Sequence, residues 1–262
     1  MSVQVIDKAV RLMRVVAKLG PISLTSLSVE SGIPLPTVSR IAQSLLENGI
    51  LKRSDDKRYE LGARLLPLAM PLEPFRRSLH IAHPFIEELT RRTKEDCGLA
   101  VLQGNEAVVV DWCYGPHPPR IIEPYSREIP LHCAFGMVLI AFQPSVWRTK
   151  YIREVNIKQI ATGTIRDRET LTRAIENIRR TGMHLSIAEN VENAGSLTVP
   201  VFDHLSRLMG ALFVTPPLAR FGERQIEKHK RDLVDTAARL TKEFRRIGQK
   251  GAAGGHAAGH GR

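Results

Sequence analysis

The sequence lacks what a membrane protein or an extracellular disulfide scaffold needs. No stretch approaches the ~20 consecutive apolar residues that span a bilayer. The opening run "MSVQVIDKAVRLM" places Asp7 early and has no uninterrupted apolar core, which argues against a secretory leader and for a cytoplasmic protein. Cysteine is scarce: Cys97, Cys113 and Cys133 are widely spaced, with no C-x-x-C among them. Such an odd set fits buried free thiols in a reducing compartment. A metal site joining them to His117 or His132 would match no known ligand spacing, so neither a metal nor a cofactor is expected. Also missing are G-x-S-x-G, a phosphate loop, a dinucleotide fingerprint and any internal repeat.

Acidic residues are in deficit. Lysine and arginine number 38 against 27 aspartates and glutamates, a formal net charge of +11. That balance favours an anionic partner, commonly nucleic acid, because neutralised phosphates release counterions. The bland alternative is a tail and scattered surface cations. With 43% hydrophobic and 25% charged residues, the 262-residue chain has the composition of one large or two ordinary globular domains.

Pattern divides the chain into four regions. Residues 1–61 hold three helical patterns and a short extended pair. "VIDKAVRLMRVVAKLG" sets Val5, Ile6, Ala9, Leu12, Met13 and Val16 on one helical face, stopped at Gly20-Pro21. In "SLTSLSVESG", Ser23 or Thr25 caps a two-turn helix closed by Gly32. "LPTVSRIAQSLLENG" follows with Val38, Ile41, Leu45 and Leu46 apolar, and "ILKRSDDKRYEL" reads strand, turn, strand. Residues 62–78 carry Pro67, Pro71 and Pro74, a connecting helix that must kink. Residues 79–247 mix helices with a hairpin turning at Gly104-Asn105 and two later buried strands, "SLTVPVFD" and "MGALFVTP". This order predicts an α+β domain. Residues 248–262 are small, polar and glycine-rich, with His256 and His260, and are expected to be disordered.

Three short helices and a two-stranded wing form a winged helix-turn-helix. Pro36 suits the first helical turn, where its absent N–H costs nothing. The third helix then offers Thr37, Ser39, Arg40, Gln43 and Ser44, side chains suited to base edges and phosphate oxygens. A merely solvated face would carry Glu–Lys pairs, and here the first acid is Glu47. Lys52, Arg53, Lys57 and Arg58 on the wing suit an adjacent backbone or minor groove. The expected partner is double-stranded DNA, with a near-palindromic operator if the protein is a homodimer or homotetramer.

Residues 3–75 resemble the N-terminal domain of the IclR family of bacterial transcriptional regulators. The likeness rests on "DKAVRLMRVVA", "LTSLSVESGIPLPTVSRIAQSLLENGIL" and "RYELGARLLPLA", and departs at Leu35 and Pro36. "REIPLHCAFGMVLIAF" and "AENVENAGSLTVPVFDHLSRLMGALFVTPP" extend it to about residue 247. The resemblance implies a GAF-like α/β effector domain that assembles oligomers and binds a small molecule, often a carboxylic acid. It places the pocket at Phe135, Gly136, Met137, Ser186, Ser196, Phe213 and Thr215. Phe135, Met137 and Val138 stand where small residues, glycine and lysine are usual, in a helix start one residue shorter. Two outcomes follow: an apolar, aromatic acid stacks near Phe135 or Phe213, or the phenylalanines fill the cavity and regulation needs no ligand.

An enzyme built on Cys133, His132 or Asp111 is the competing class, but sequence neighbours on a helix point in different directions and a thiol needs a base beside it. His132 reads better as a packing or capping residue. Glu189 reads as a hydrogen-bonding partner of its strand; Asp111-Trp112 at a strand end either lines the pocket or, for the tryptophan, serves the core or an interface. A third reading is an architectural DNA-bound module. The closing basic stretch, Arg220 to Arg246, is by default solvated surface.

Overall fold

The computed structural model of the chain describes residues 3–121 and 129–254. Helix α1 (Gln4–Leu19) stops where Gly20 takes φ 71° ahead of Pro21. The Ser23 hydroxyl accepts the Ser26 N–H at 3.1 Å and so starts α2 (Leu24–Ser31), which ends on left-handed Gly32. Helix α3 (Leu35–Glu47) begins after Pro34 with Pro36 in its first turn, as the missing donor allows. Strands β1 (Leu51–Arg53) and β2 (Tyr59–Leu61) pair antiparallel, Leu51 opposite Leu61. Ile22 bridges to Tyr59, tying the wing to the segment between α1 and α2. Leu12, Leu27, Val38 and Leu51 are buried at the centre.

The apolar stripe of α1 is buried only in part. Leu12 and Val16 are core, but Val5 and Ile6 are 54% and 59% exposed and line an open groove beside α3. Gly62 explains the Tyr-x-Leu-Gly pattern after the wing: a Cβ there would stand 2.1 Å from the Gly49 carbonyl oxygen, so only glycine fits.

The proline-rich connector is helical but broken into pieces, α4 (Leu65–Ala69), a 3₁₀ turn (Met70–Leu72) and α5 (Glu73–Thr93). Pro71 sits in the 3₁₀ turn, Pro74 in the first turn of α5, and Pro84 inside α5, where a further backbone bond is lost. The chain divides into two compact units between Arg76 and Arg77.

The second unit is an antiparallel sheet in the order β5-β4-β3-β8-β7-β6. Its strands are β3 (Asp96–Gln103), β4 (Glu106–Cys113), β5 (Ile129–Pro130), β6 (His184–Ile187), β7 (Gly195–Phe202) and β8 (Leu208–Thr215). Alternation on β8 shows the two-sided burial: Ala211 and Phe213 face one core, Leu212 and Val214 the other. The first core packs under α6 (Phe135–Ala141) and α8 (Arg168–Thr181), with α7 (Ser145–Glu154) beside them; the second packs under α5 and α9 (Glu223–Gly254). Every residue of α6 is buried, which is why its sequence is apolar all round. Helix α9 continues to Gly254, so the boundary expected at 247 falls inside it; 255–262, with His256 and His260, lie outside the described residues.

Candidate nucleic-acid interface and effector pocket

The turn at Gly32 and the burial of Ile33, Val38, Ile41 and Ala42 fix which side of α3 faces out. Pro36, Ser39, Arg40, Gln43 and Ser44 are exposed and Thr37 is half-buried. The Gln43 amide donates to Glu47 at 2.9 Å. At α2 the Ser23 hydroxyl is occupied by its cap and by Ser26 at 2.8 Å, while Thr25 is exposed.

On the wing, Lys52 pairs with Glu60 at 2.7 Å and Arg58 with Asp56 at 3.0 Å. Arg53 donates to the Lys57 carbonyl at 3.2 Å and its guanidinium lies 5.5 Å from the Tyr59 ring centre. The Ser54 hydroxyl, with Arg58, holds the Asp56 carboxyl below its ordinary range. Lys57, at the tip with φ 62°, has no ion pair among the described residues. The four wing cations look alike in sequence; in the structure Lys52 and Arg58 are ion-paired, Arg53 is held by a carbonyl and a ring, and Lys57 has neither kind of partner among the described residues.

In the second unit, the start of α6 and the ends of β6, β7 and β8 enclose an inner pocket of about 60 Å³. Phe135, Ser186, Ser196, Phe213 and Thr215 all line it, with Ser186 directly opposite Ser196 in the register. Gly136 and Met137 do not. A Cβ on Gly136 would meet the Leu131 backbone at 2.6 Å, so this glycine lets two chain segments touch, and Met137 is buried in the core behind. The Phe135 and Phe213 rings stack with centroids 4.4 Å apart and planes at 19°. Phe213 has space because Gly98 lies beside it on β3, where a Cβ would be 2.8 Å from the ring.

The sequence reading assigned Glu189 to its strand's hydrogen bonding; it lies beyond the end of β6 and does more. Its carboxylate accepts the Ala134 N–H at 2.6 Å and lies 3.0 Å from His184 Nε2. Ala134 takes φ 46°, a strained conformation outside glycine, at the entry to α6. Asn190 Oδ1 and Ser196 Oγ are buried in the wall without partners among the described residues. Asn190, Val109 and Ile121 join the wall from separate segments, and no local pattern announces them.

The residues of the enzymatic reading are not assembled. Cys133 is buried and its thiol is pushed up to about 12, first by burial and then by Glu189. The His132 Nε2 lies 3.2 Å from the Lys158 carbonyl, and Asp111 pairs instead with His83 at 2.9 Å. Among the described residues no group of three or more His, Cys, Asp or Glu side chains could hold a metal ion, and no helix is long and apolar enough to cross a membrane.

A winged helix-turn-helix joined to an antiparallel sheet covered by helices on both faces defines a two-domain DNA-binding regulator. The family described as "IclR helix-turn-helix domain" matches residues 5–55, and "Bacterial transcriptional regulator IclR C-terminal" matches 77–242. The chain therefore belongs to the IclR family: it is a DNA-binding transcriptional regulator, not an enzyme. It is 30% identical to the probable transcriptional regulator SauR of Cupriavidus necator, over 90% of this chain and 96% of that one. The fold matches the IclR structure of Thermotoga maritima with TM-score 0.72 at 24% identity, covering 92% of this chain and 99% of that one. It also matches an IclR homologue of Microbacterium hydrocarbonoxydans complexed with 4-hydroxybenzoate, with TM-score 0.70 at 23% identity, covering 91% and 99%.

Proposed function

We propose that the chain binds a near-palindromic operator as a homodimer or homotetramer. In this reading α3 meets base edges through Thr37, Ser39, Arg40, Gln43 and Ser44, with Pro36 at its entry. Ser23 and Thr25 approach the backbone, and Lys52, Arg53, Lys57 and Arg58 hold the flanking phosphates. The supporting observation is that α3 turns one side to the core and leaves an exposed side of hydroxyls, an amide and one arginine, with little charge. A gel shift with the DNA upstream of its own coding sequence tests it. Arg40→Ala weakens cognate binding by about 1–3 kcal/mol if Arg40 reads a base. Equal loss on random DNA assigns it to phosphate instead, and a genomic pull-down without any enriched site rejects the operator.

The second domain, in the same proposal, senses a small organic acid of aromatic character. The 4-hydroxybenzoate bound to the Microbacterium homologue and the aromatic, largely apolar wall formed here by Phe135 and Phe213 support that class. A second reading, regulation without a ligand, is favoured by the same ring stack, which leaves only about 60 Å³. A thermal-shift screen of organic acids separates them: a stabilising acid of micromolar affinity removes the ligand-free reading.

A further inference from the structure

A filled inner pocket and an acid-responsive protein are compatible when the acid sits elsewhere, and the second unit contains such a place. On the other side of the 130–134 segment lies an open cavity of about 540 Å³. Ligand pockets ordinarily measure roughly 300–1,000 Å³, a range this cavity meets and the inner pocket does not. Part of its wall is Trp147 and Tyr151 of α7, stacked with centroids 5.3 Å apart and planes at 5°. Lys150 on α7 and Lys158 on the following loop also line it, and among the described residues neither is ion-paired. The carboxylates present are engaged: Glu154 binds Arg153 at 3.0 Å, and Glu106 has a partner of its own.

His132 belongs to the same wall and is 2% exposed. Its Nε2–H donates to the Lys158 carbonyl at 3.2 Å, so its Nδ1 is left buried without a partner among the described residues. An unpaired buried nitrogen is costly and calls for an explanation, which an occupant of the cavity beside it would supply.

The geometry points to this outer cavity as the binding site for a planar organic anion. Its ring lies against the Trp147–Tyr151 wall and its carboxylate meets the Lys150 and Lys158 ammonium groups. The inference rests on the acid-sensing reading above but moves the acid from the Phe135–Phe213 wall to this cavity, whose own aromatic pair suits the same class. A hydrogen-bonded chain leads inward from it. Ile160, which lines the cavity, donates its N–H to Thr164 Oγ1 at 3.1 Å, and Thr164 donates to the Glu189 carbonyl at 2.6 Å. The Glu189 carboxylate in turn holds the strained Ala134 at the entry to α6. An occupant that shifts the 155–160 loop therefore acts on the residue that fixes this helix start.

The test uses the full chain, titrated with benzoate and 4-hydroxybenzoate while tryptophan emission is followed. Wild type is compared with the double variant Lys150→Gln, Lys158→Gln and with Phe135→Leu. Both lysines are exposed, and an unchanged melting temperature without acid checks that the double variant is folded. The expected result is saturable quenching, an affinity at least about tenfold weaker in the double variant, and a change within about twofold in Phe135→Leu. The reverse pattern puts the acid in the inner pocket and overturns this site while leaving acid sensing intact. No saturable binding of either acid up to about 10 mM overturns both.

Discussion

Replacing Phe135 with alanine removes the ring stacked 4.4 Å from Phe213, in a site only 7% exposed. Core phenylalanine-to-alanine changes cost about 3–5 kcal/mol, of which the ring–ring contribution is about 0.5–1.5 kcal/mol. Phe135 borders an existing void of about 60 Å³, so it makes fewer contacts than a ring packed on every side. We place the loss at the lower end, about 3 kcal/mol. Trp112 and Trp147 are the only tryptophans and both lie in the second unit, so urea unfolding followed by tryptophan emission reads that unit alone. The enlarged cavity is lined largely by apolar groups and should accept benzene. At ten times its dissociation constant, benzene would restore about 1.4 kcal/mol. A cost under about 1 kcal/mol, or no stabilisation by benzene, refutes the claim that this ring fills the pocket.

Glu189→Ala leaves the Ala134 N–H and His184 without their acceptor and should cost about 3–5 kcal/mol in the same unfolding assay. Glu189→Gln keeps one acceptor and should cost about 1–2 kcal/mol; equal losses would deny the carboxylate its role. Lys57→Ala should flatten the salt dependence of operator binding by about 0.9 in log–log slope if Lys57 meets one phosphate. Lys52→Ala should change it less, since Lys52 is committed to Glu60 at 2.7 Å; the opposite order would reassign the wing contact. His229 is buried, and burial, with Lys228 adding and Glu95 and Asp232 opposing, holds its imidazole below the ordinary 6.5. Above 6.5 the ring is neutral folded and unfolded; below it the unfolded chain protonates first, so stability falls as pH drops toward the folded value. Denaturation between about pH 7 and pH 5 should show that decline, and His229→Leu should flatten it.

Local chemistry wrote the first unit into the sequence legibly. Ser23, Gly32 and Pro36 cap, turn and start helices through their own side chains or backbone freedom, so the outward side of α3 could be read before any contact was seen. The resemblance also brought five of its seven pocket residues together. Gly136 lies outside that group because it makes a close approach to Leu131, a tertiary fact with no local pattern. Val5 and Ile6 fit the helical stripe of α1, yet periodicity says which side is apolar and not whether anything covers it. The outer cavity was illegible for a related reason. Trp147, Tyr151, Lys158 and His132 come from a helix, a loop and a helix entry that only the fold brings together.

The net charge of +11 illustrates the same distinction and changes what should be expected of DNA binding. Much of the basic closing stretch is spent inside the second unit. Arg239 holds Glu88 of α5 through two bonds of 2.7 and 2.8 Å, Arg220 holds Glu95 likewise, and Arg246 holds Glu243. From the other side, Arg92 of α5 reaches Asp235 at 2.7 Å and also Asp232 of α9. The Arg239–Glu88 and Arg92–Asp235 pairs, half-exposed and each worth little alone, register α9 against α5 together with Arg92–Asp232. Their positive charge faces a carboxylate of the same molecule rather than a phosphate. On the wing Lys57 and Arg53 have no carboxylate partner among the described residues, Arg53 bonding instead to the Lys57 carbonyl. Each internal pair cancels one cation and one carboxylate, so the formal excess of +11 survives; pairing decides where it lies, and an expectation for DNA affinity must start from cations without a carboxylate partner, such as Lys57 and Arg53, rather than from the whole-chain total.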